Sequence, residues 1–308
     1  MPFAMAIPIN MDDIHDRARG AFIGLAVGDA LGAAVEFMSP GEIKAKHGCL
    51  REITGGGWLR LKPGQVTDDT DMSLCIARAI VSAGGWSLQG IAENFAAWLK
   101  SKPVDVGDTC RRGIRNFMLH GRTETPFNQW DAGNGACMRM LPIAIFTLGS
   151  DELLKRYSVA QGHITHNHPL SDAACLYTGK LVHLALSGAS KGCLRRELEN
   201  LFTIHENFRF EPYHGLATAY VVDTLQTVFH HFFQTRDFEE CLVRTVNQGG
   251  DADTTGAIAG MLAGAYYGKE GIPKRWLKKM ERKLMEEIMS LAGRLVDLSP
   301  LVISQRLP

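Results

Sequence analysis

Two stretches of this sequence place glycine at every fourth position: Gly24, Gly28 and Gly32 in one, Gly256, Gly260 and Gly264 in the other. Both lie in runs with helical apolar spacing, and each glycine costs a helix about 1 kcal/mol relative to alanine. In a soluble chain that repeated cost points to helices whose backbones approach a neighbour closely in the interior. The other long segments share the period. Helical spacing covers about 13–34, 69–83, 88–100, 108–120, 135–148, 151–162, 170–188, 193–204, 215–234, 237–247, 254–267 and 273–293. Alternating strand patterns are scarce. The expected fold class is all-α: one compact domain over 11–308, preceded by an extension over 1–10, with no linker long enough to split it and no solenoid repeat.

Composition narrows the function. The 308 residues carry 33 Lys+Arg and 33 Asp+Glu, a net charge of zero, with 45% hydrophobic residues. That composition excludes disorder for the bulk of the chain and argues against a general nucleic-acid binder, which needs a basic footprint. The seven cysteines are odd in number and form no C-x-x-C. Reduced, mostly buried thiols of a cytoplasmic protein are expected, with neither a disulfide framework nor a cysteine zinc site. The opening MPFAMAIPIN does not read as a signal peptide. The weakly polar run from Thr254 to Gly268 is too short and too rich in Gly and Ala to span a bilayer.

The chemistry concentrates in two acidic-hydroxyl clusters, Thr67-Asp68-Asp69-Thr70-Asp71 and Gly249-Gly250-Asp251-Ala252-Asp253-Thr254-Thr255. Each directly precedes an apolar helix, so either alone reads as an N-cap with acidic first-turn residues. Together they crowd carboxylates within single turns, which is costly without a cation. Asp and Thr oxygens form a hard ligand set suited to Mg²⁺ or Mn²⁺. Asp68, Asp69, Asp251 and Asp253 would balance two divalent ions, and such a pair can orient hydroxyls and activate water.

Other features read more plainly. His163, His166 and His168 lack the glutamate of H-E-x-x-H and fit a polar loop at a pocket mouth. The His15-Asp16 pair lacks the partners a metal phosphohydrolase needs. Gly55-Gly56-Gly57-Trp58 lacks a phosphate-loop pattern and is expected to be a flexible surface loop. The basic residues from Lys274 to Lys283 read as the solvated face of one amphipathic helix, at most a weak docking face.

The segments RARGAFIGLAVGDALGAAVEF, GQVTDDTDMSL, PVDVGDT, GNGACMRMLPIAI, ITHNHPLSDAA and VNQGGDADTTGAIAGMLAGAYYG resemble the ADP-ribosylglycohydrolases. The likeness runs from about Arg17 to about Lys279 and is greatest to the branch that acts on dinitrogenase reductase in nitrogen-fixing bacteria. It implies an orthogonal helical bundle with a dinuclear Mn²⁺ or Mg²⁺ centre in a central cleft. It also implies hydrolysis of the bond between ADP-ribose and an arginine side chain. By resemblance, Thr67, Asp68, Asp69, Asp251, Asp253 and Thr254 are metal ligands. Asp105 is the acid/base, with Glu36 close to the metals. Gly133, Asn134, Gly135 and Ala136 approach the diphosphate, and His166 and Asn167 border the ADP-ribose cleft. Asp108 departs from the family pattern, where an uncharged polar residue is expected. The implied partners are ADP-ribosylated dinitrogenase reductase and a nitrogen-signalling PII protein, with reversible peripheral membrane association. Competing readings are a hydrolase of serine-linked or other ADP-ribosyl conjugates, a silent ADP-ribose-binding relative, and a diphosphate-cleaving phosphohydrolase.

Overall fold

In a computed structural model, which describes residues 10–306, the chain is all-α, with no strand among those residues. The helices are α1 (Met11–Gly32), α2 (Pro40–His47), α3 (Asp68–Ala83), α4 (Leu88–Lys100), α5 (Asp108–His120), α6 (Leu141–Phe146), α7 (Asp151–His163) and α8 (Pro169–Leu186). They continue with α9 (Lys191–Ile204), α10 (Val221–Gln234), α11 (Phe238–Val246), α12 (Ala252–Tyr267), α13 (Lys274–Leu277), α14 (Arg282–Asp297) and α15 (Pro300–Arg306). Short polar side chains start many of them: Asn10, Ser39, Ser87, Ser150, Ser190 and Asp237 each accept from a first-turn N–H, which satisfies donors a helix leaves unpaired. Apart from Asn10, the expected N-terminal extension lies outside the described residues.

The glycine stripes meet each other. Helices α1 and α12 run antiparallel, and Gly20, Gly24, Gly28 and Gly32 face Gly264, Gly260, Gly256 and Ala252 in turn. A Cβ at Gly28 would lie 2.0 Å from the Gly256 carbonyl oxygen, and one at Gly24 would lie 2.2 Å from that of Gly260. Only hydrogen fits between these backbones, which explains the tolerated loss of helix propensity. The pair forms the buried centre of the molecule: every residue from Gly20 to Gly32 and from Ala252 to Ala265 is buried. Helices α3, α8, α10, α11 and α14 pack around it.

Three expected helices end differently. The segment 135–148 divides into a 3₁₀ turn at Asn134–Ala136 and the short α6. Pro142 is responsible, because its ring has no N–H and is tolerated only in a first helical turn. The expected start at 215 moves to Val221, and in the non-helical residues before it the Ala217 and Ala219 carbonyls accept from the backbone N–H of Asp251 and Asn134. The C-terminal helix breaks between Leu277 and Arg282. At 100° per residue, Trp276 would lie about 60–120° from Ile288, Leu291 and Leu295 on an unbroken helix. The break lets all four enter the core. Arg275 then pairs with Glu52 and Glu239, so the basic stretch is not one continuous face. All seven cysteines are free and five are buried. No described helix is long and apolar enough to cross a membrane.

Candidate metal centre and cleft

The glycine zipper sets the site. It aligns the C-terminal end of α1 with the N-terminal end of α12, so the residues just beyond each meet. Phe37 N–H donates to the Gly250 carbonyl at 2.6 Å, and Gly250 N–H donates to the Met38 carbonyl at 2.9 Å. Gly250 has φ +62° and lies so close to Ala217 that a Cβ would come within 2.0 Å of its carbonyl oxygen. This turn brings Glu36, Asp251 and Asp253 together, with one oxygen from each within 4.8 Å of the others.

The first acidic cluster arrives from α3 and is held by a residue the sequence reading passed over. Asp29, fully buried on α1, accepts from the backbone N–H of Thr67 (3.0 Å) and of Thr70 (3.2 Å), and from the hydroxyls of Thr67 (3.0 Å) and Thr70 (2.5 Å). Its signal was visible: a lone carboxylate inside the apolar run G-L-A-V-G-D-A-L-G. The Thr254 hydroxyl donates to Asp69 Oδ2 at 3.3 Å and joins the two clusters. Gly107 N–H donates to Asp68 Oδ2 at 3.2 Å. Thr67 and Asp69 lie beneath the floor, fully buried, while Asp68, Asp251, Asp253 and Thr254 line an open cleft of about 440 Å³.

These carboxylates are buried and crowd one another. Burial pushes Asp68 and Glu36 up to about 8 and Asp29 up to about 7. Asp69 and Asp253 are driven well above the carboxylate range, first by burial and then by neighbouring carboxylates. Among the described residues no Lys, Arg or His forms an ion pair with any of the five. Asp69 Oδ1 is buried without a hydrogen-bond partner. An orphaned carboxylate oxygen within a cluster of crowded carboxylates and threonine hydroxyls fits a divalent cation, which would neutralise the crowding.

The remaining expected residues fall into two groups. Asp105, Gly133, Asn134, Gly135 and His166 line the same cleft. Asp105 Oδ1 accepts from Val106 N–H at 2.8 Å, and burial raises its carboxyl. Asn134 donates its side-chain amide to Asp251 Oδ2 at 2.7 Å and to Thr224 Oγ1 at 3.0 Å, so it orients a carboxylate. Ala136 and Asn167 do not line the cleft: Ala136 is fully buried, and Asn167 donates to the Thr125 carbonyl at 2.7 Å. Asp108 stands on the cleft wall and pairs with Arg111 at 3.3 Å. The three histidines do not converge: His163 pairs with Asp172, and His168 caps α8.

The Gly55–Gly57 loop has more structure than its composition suggests. All three glycines have positive φ, and Gly57 abuts the Ala33 carbonyl so closely that a Cβ would lie 2.2 Å from its oxygen. The loop presents Trp58, whose Nε1–H donates to Glu36 Oε2 at 2.5 Å. Sequence reasoning missed this tryptophan; its one signal was an aromatic directly after three glycines.

A family model described as ADP-ribosylglycohydrolase matches residues 10–303. The chain belongs to the ADP-ribosylglycohydrolases. It is 56% identical over 288 residues to an ADP-ribosyl-[dinitrogen reductase] glycohydrolase of Rhodospirillum rubrum, covering 94% of this chain and 98% of that one. It is 32% identical to the ADP-ribosylarginine hydrolase Tri1 of Serratia proteamaculans, covering 92% and 80%. A solved structure titled ADP-ribosylglycohydrolase-related protein complex superposes with a TM-score of 0.82 at 34% identity, covering 93% and 99%. The all-α architecture expected of this family of hydrolases is therefore the one observed.

Proposed function

We propose that the chain hydrolyses the N-glycosidic bond between C1′ of ADP-ribose and a guanidino nitrogen of a modified arginine, with ADP-ribosylated dinitrogenase reductase as its protein substrate. The observation that carries this reading is the convergence of Glu36, Asp251 and Asp253 on a cleft that Asp105 also lines. The target is supported by the 56% identity to the Rhodospirillum rubrum protein and its name. Thr67, Asp68, Asp69, Asp251, Asp253 and Thr254 would hold two divalent cations, Mn²⁺ or Mg²⁺. Bound there, such ions orient ribose hydroxyls and lower the pKa of water.

The chain's own residues handle orientation and protons. Asp105 exchanges a proton at the guanidino nitrogen as the bond to C1′ breaks, and its raised carboxyl is closer to the operating pH, as proton transfer requires. Water supplies hydroxyl to C1′ and a proton to the leaving nitrogen, giving ADP-ribose and unmodified arginine. Glu36 is held toward the carboxylates by Trp58. Gly133 and Gly135 stand at the cleft wall, where the diphosphate would lie. Control by a PII protein with reversible membrane association belongs to the same reading and is testable by co-sedimentation with vesicles and PII.

The direct test incubates Mn²⁺-loaded protein with ADP-ribosylated dinitrogenase reductase and follows the products. Intact ADP-ribose, released with metal and not with chelator, is expected. AMP would overturn the bond assignment, and faster release from serine-linked conjugates would overturn the linkage. Asp105→Ala should abolish turnover with Mn²⁺ still bound; near-normal turnover would remove its role.

A further inference from the structure

Arg139 is fully buried, yet among the described residues it forms no ion pair. Its guanidinium lies 4.7 Å over the Phe95 ring and donates to neutral groups: Gln161 Oε1 (2.9 Å), the Gln161 carbonyl (3.0 Å) and Thr165 Oγ1 (2.8 Å). A buried cation without a carboxylate partner is expensive, and the hydrolytic reading above gives it no task. Thr165 Oγ1 in turn lies 2.7 Å from His166 Nδ1.

The bonds in this chain run in one direction when every donor is given an acceptor. A guanidinium can only donate, so Thr165 Oγ1 accepts from Arg139. Thr165 is fully buried, and its hydroxyl proton has one acceptor within reach, His166 Nδ1. Giving that buried proton its one acceptor makes Nδ1 the bare nitrogen and puts the ring proton on Nε2. A cationic ring is disfavoured as well: burial, and then Arg139 and Arg112, push the His166 imidazole well below its ordinary value. Nε2 has no partner among the described residues. It faces the cleft at the Gly133–Gly135 turn, where a Cβ on either glycine would stand 3.1 Å from it. His166 itself is only 2% exposed, so its ring is held in the wall with the unpartnered Nε2 directed at whatever occupies the cleft.

We infer that Arg139 and Thr165 are positioning residues that lock His166 as its neutral Nε2–H tautomer, so that the cleft offers a fixed, uncharged donor to an oxygen of the ligand's diphosphate. The identity of the ligand rests on the proposed function; the relay rests on the protein alone. An uncharged donor lets the diphosphate leave with the product, and its state does not change across the neutral pH range.

The test reads the tautomer directly. Chelated, ¹⁵N-histidine-labelled protein is examined by long-range proton–nitrogen correlation, with His166→Gln to identify the signal among the 11 histidines. A bare Nδ1 and a protonated Nε2 are expected near pH 7. A protonated Nδ1, or an imidazolium, would overturn the relay. Thr165→Val should release the tautomer, raise KM for the ADP-ribosylated substrate by about 10-fold and leave kcat within about threefold. Thr165→Ser should restore both the spectrum and KM, and it carries the test if the valine variant does not fold. An unchanged spectrum and KM in Thr165→Val would also overturn the proposal. Wild-type protein that shows the expected tautomer but neither binds nor releases ADP-ribose would instead refute the hydrolase reading and leave the relay standing.

Discussion

The clusters at Thr67–Asp71 and Gly249–Thr255 both present carboxylates at the start of a buried helix, but the fold secures them through different groups. The first is held by a side chain, as Asp29 gathers two backbone N–H groups and two hydroxyls from the turn. The second is held by backbone contact. Gly249 and Gly250 lie against the Met38 and Ala217 carbonyls, and α12 lies against α1 backbone to backbone at Gly24–Gly260 and Gly28–Gly256. Side-chain hydrogen bonds tolerate small shifts and fail one bond at a time. Backbone-to-backbone contact has no slack, because nothing at the interface can rotate away. The two halves should therefore break with different magnitudes and, in one case, with opposite sign.

The largest effect is expected from Gly28→Val. Its Cβ would meet the Gly256 carbonyl oxygen at 2.0 Å and the carbonyl carbon at 2.4 Å. Relief requires the central helices to separate, at more than about 4 kcal/mol. Circular dichroism and soluble yield should show loss of the folded state. A variant melting within a few degrees of wild type would remove the backbone-contact account.

Asp253→Asn comes next. Removing partners outside the ligand shell already weakens metal binding about 10–100-fold, so loss of a ligand should weaken it further. The chelated variant should nevertheless melt higher than chelated wild type, because a neutral amide replaces a buried, crowded carboxylate. Asp29→Asn should do the reverse to stability. An amide has one accepting oxygen where the carboxylate has two, and its N–H groups would face donors; a loss of about 2 kcal/mol is expected. Calorimetry with and without Mn²⁺ checks both, and identical signs for the two variants would erase the distinction between the clusters.

A smaller, continuous version of the same contrast comes from pH. Folded Glu36 and Asp68 titrate at about 8 and Asp29 at about 7, against about 4 in the unfolded chain. The folded state therefore holds more protons across that window, and its stability falls as pH rises from about 4 to about 8. Chelated protein should melt at lower temperature at pH 8 than at pH 5. Added Mn²⁺ should raise the melting temperature most at pH 8, where deprotonating the ligands is easiest. A flat or rising chelated profile would contradict the burial of unpaired carboxylates.

The glycine period and the two acidic clusters were legible because their signals are local: a four-residue repeat and carboxylates packed within a turn. That the two stripes face each other was not legible, since spacing gives a helix a face and not a partner. Asp29 was hidden because a buried acid in an apolar helix has meaning only beside the turn it serves, 38 residues away at Thr67. Asn134 was legible as a cleft residue but not as the group that orients Asp251. The breaks before Pro142 and after Leu277 were missed for a related reason: apolar periodicity persists across a change of helix axis.

The smallest effect is expected at Trp58, where the two modes of support meet. The Gly55–Gly57 loop is fixed through backbone against Ala33, and its link to the site is one side-chain hydrogen bond, Trp58 Nε1–H to Glu36 Oε2. Trp58→Phe removes the donor and keeps an aromatic ring beside Phe37, which lies 5.5 Å away between centroids. Stability should change little, because Trp58 is half exposed and the loop's glycine contacts remain. Glu36 should respond more. A hydrogen bond to the carboxylate favours its charged form, so losing it moves an already raised carboxyl further up. At pH 7 and saturating Mn²⁺, kcat/KM should fall by a few-fold, up to about 10-fold. The loss should shrink as pH rises and restores the carboxylate. A pH–rate profile that drops by the same factor at every pH would show that Trp58 acts by shape at the cleft mouth, and not through the charge of Glu36.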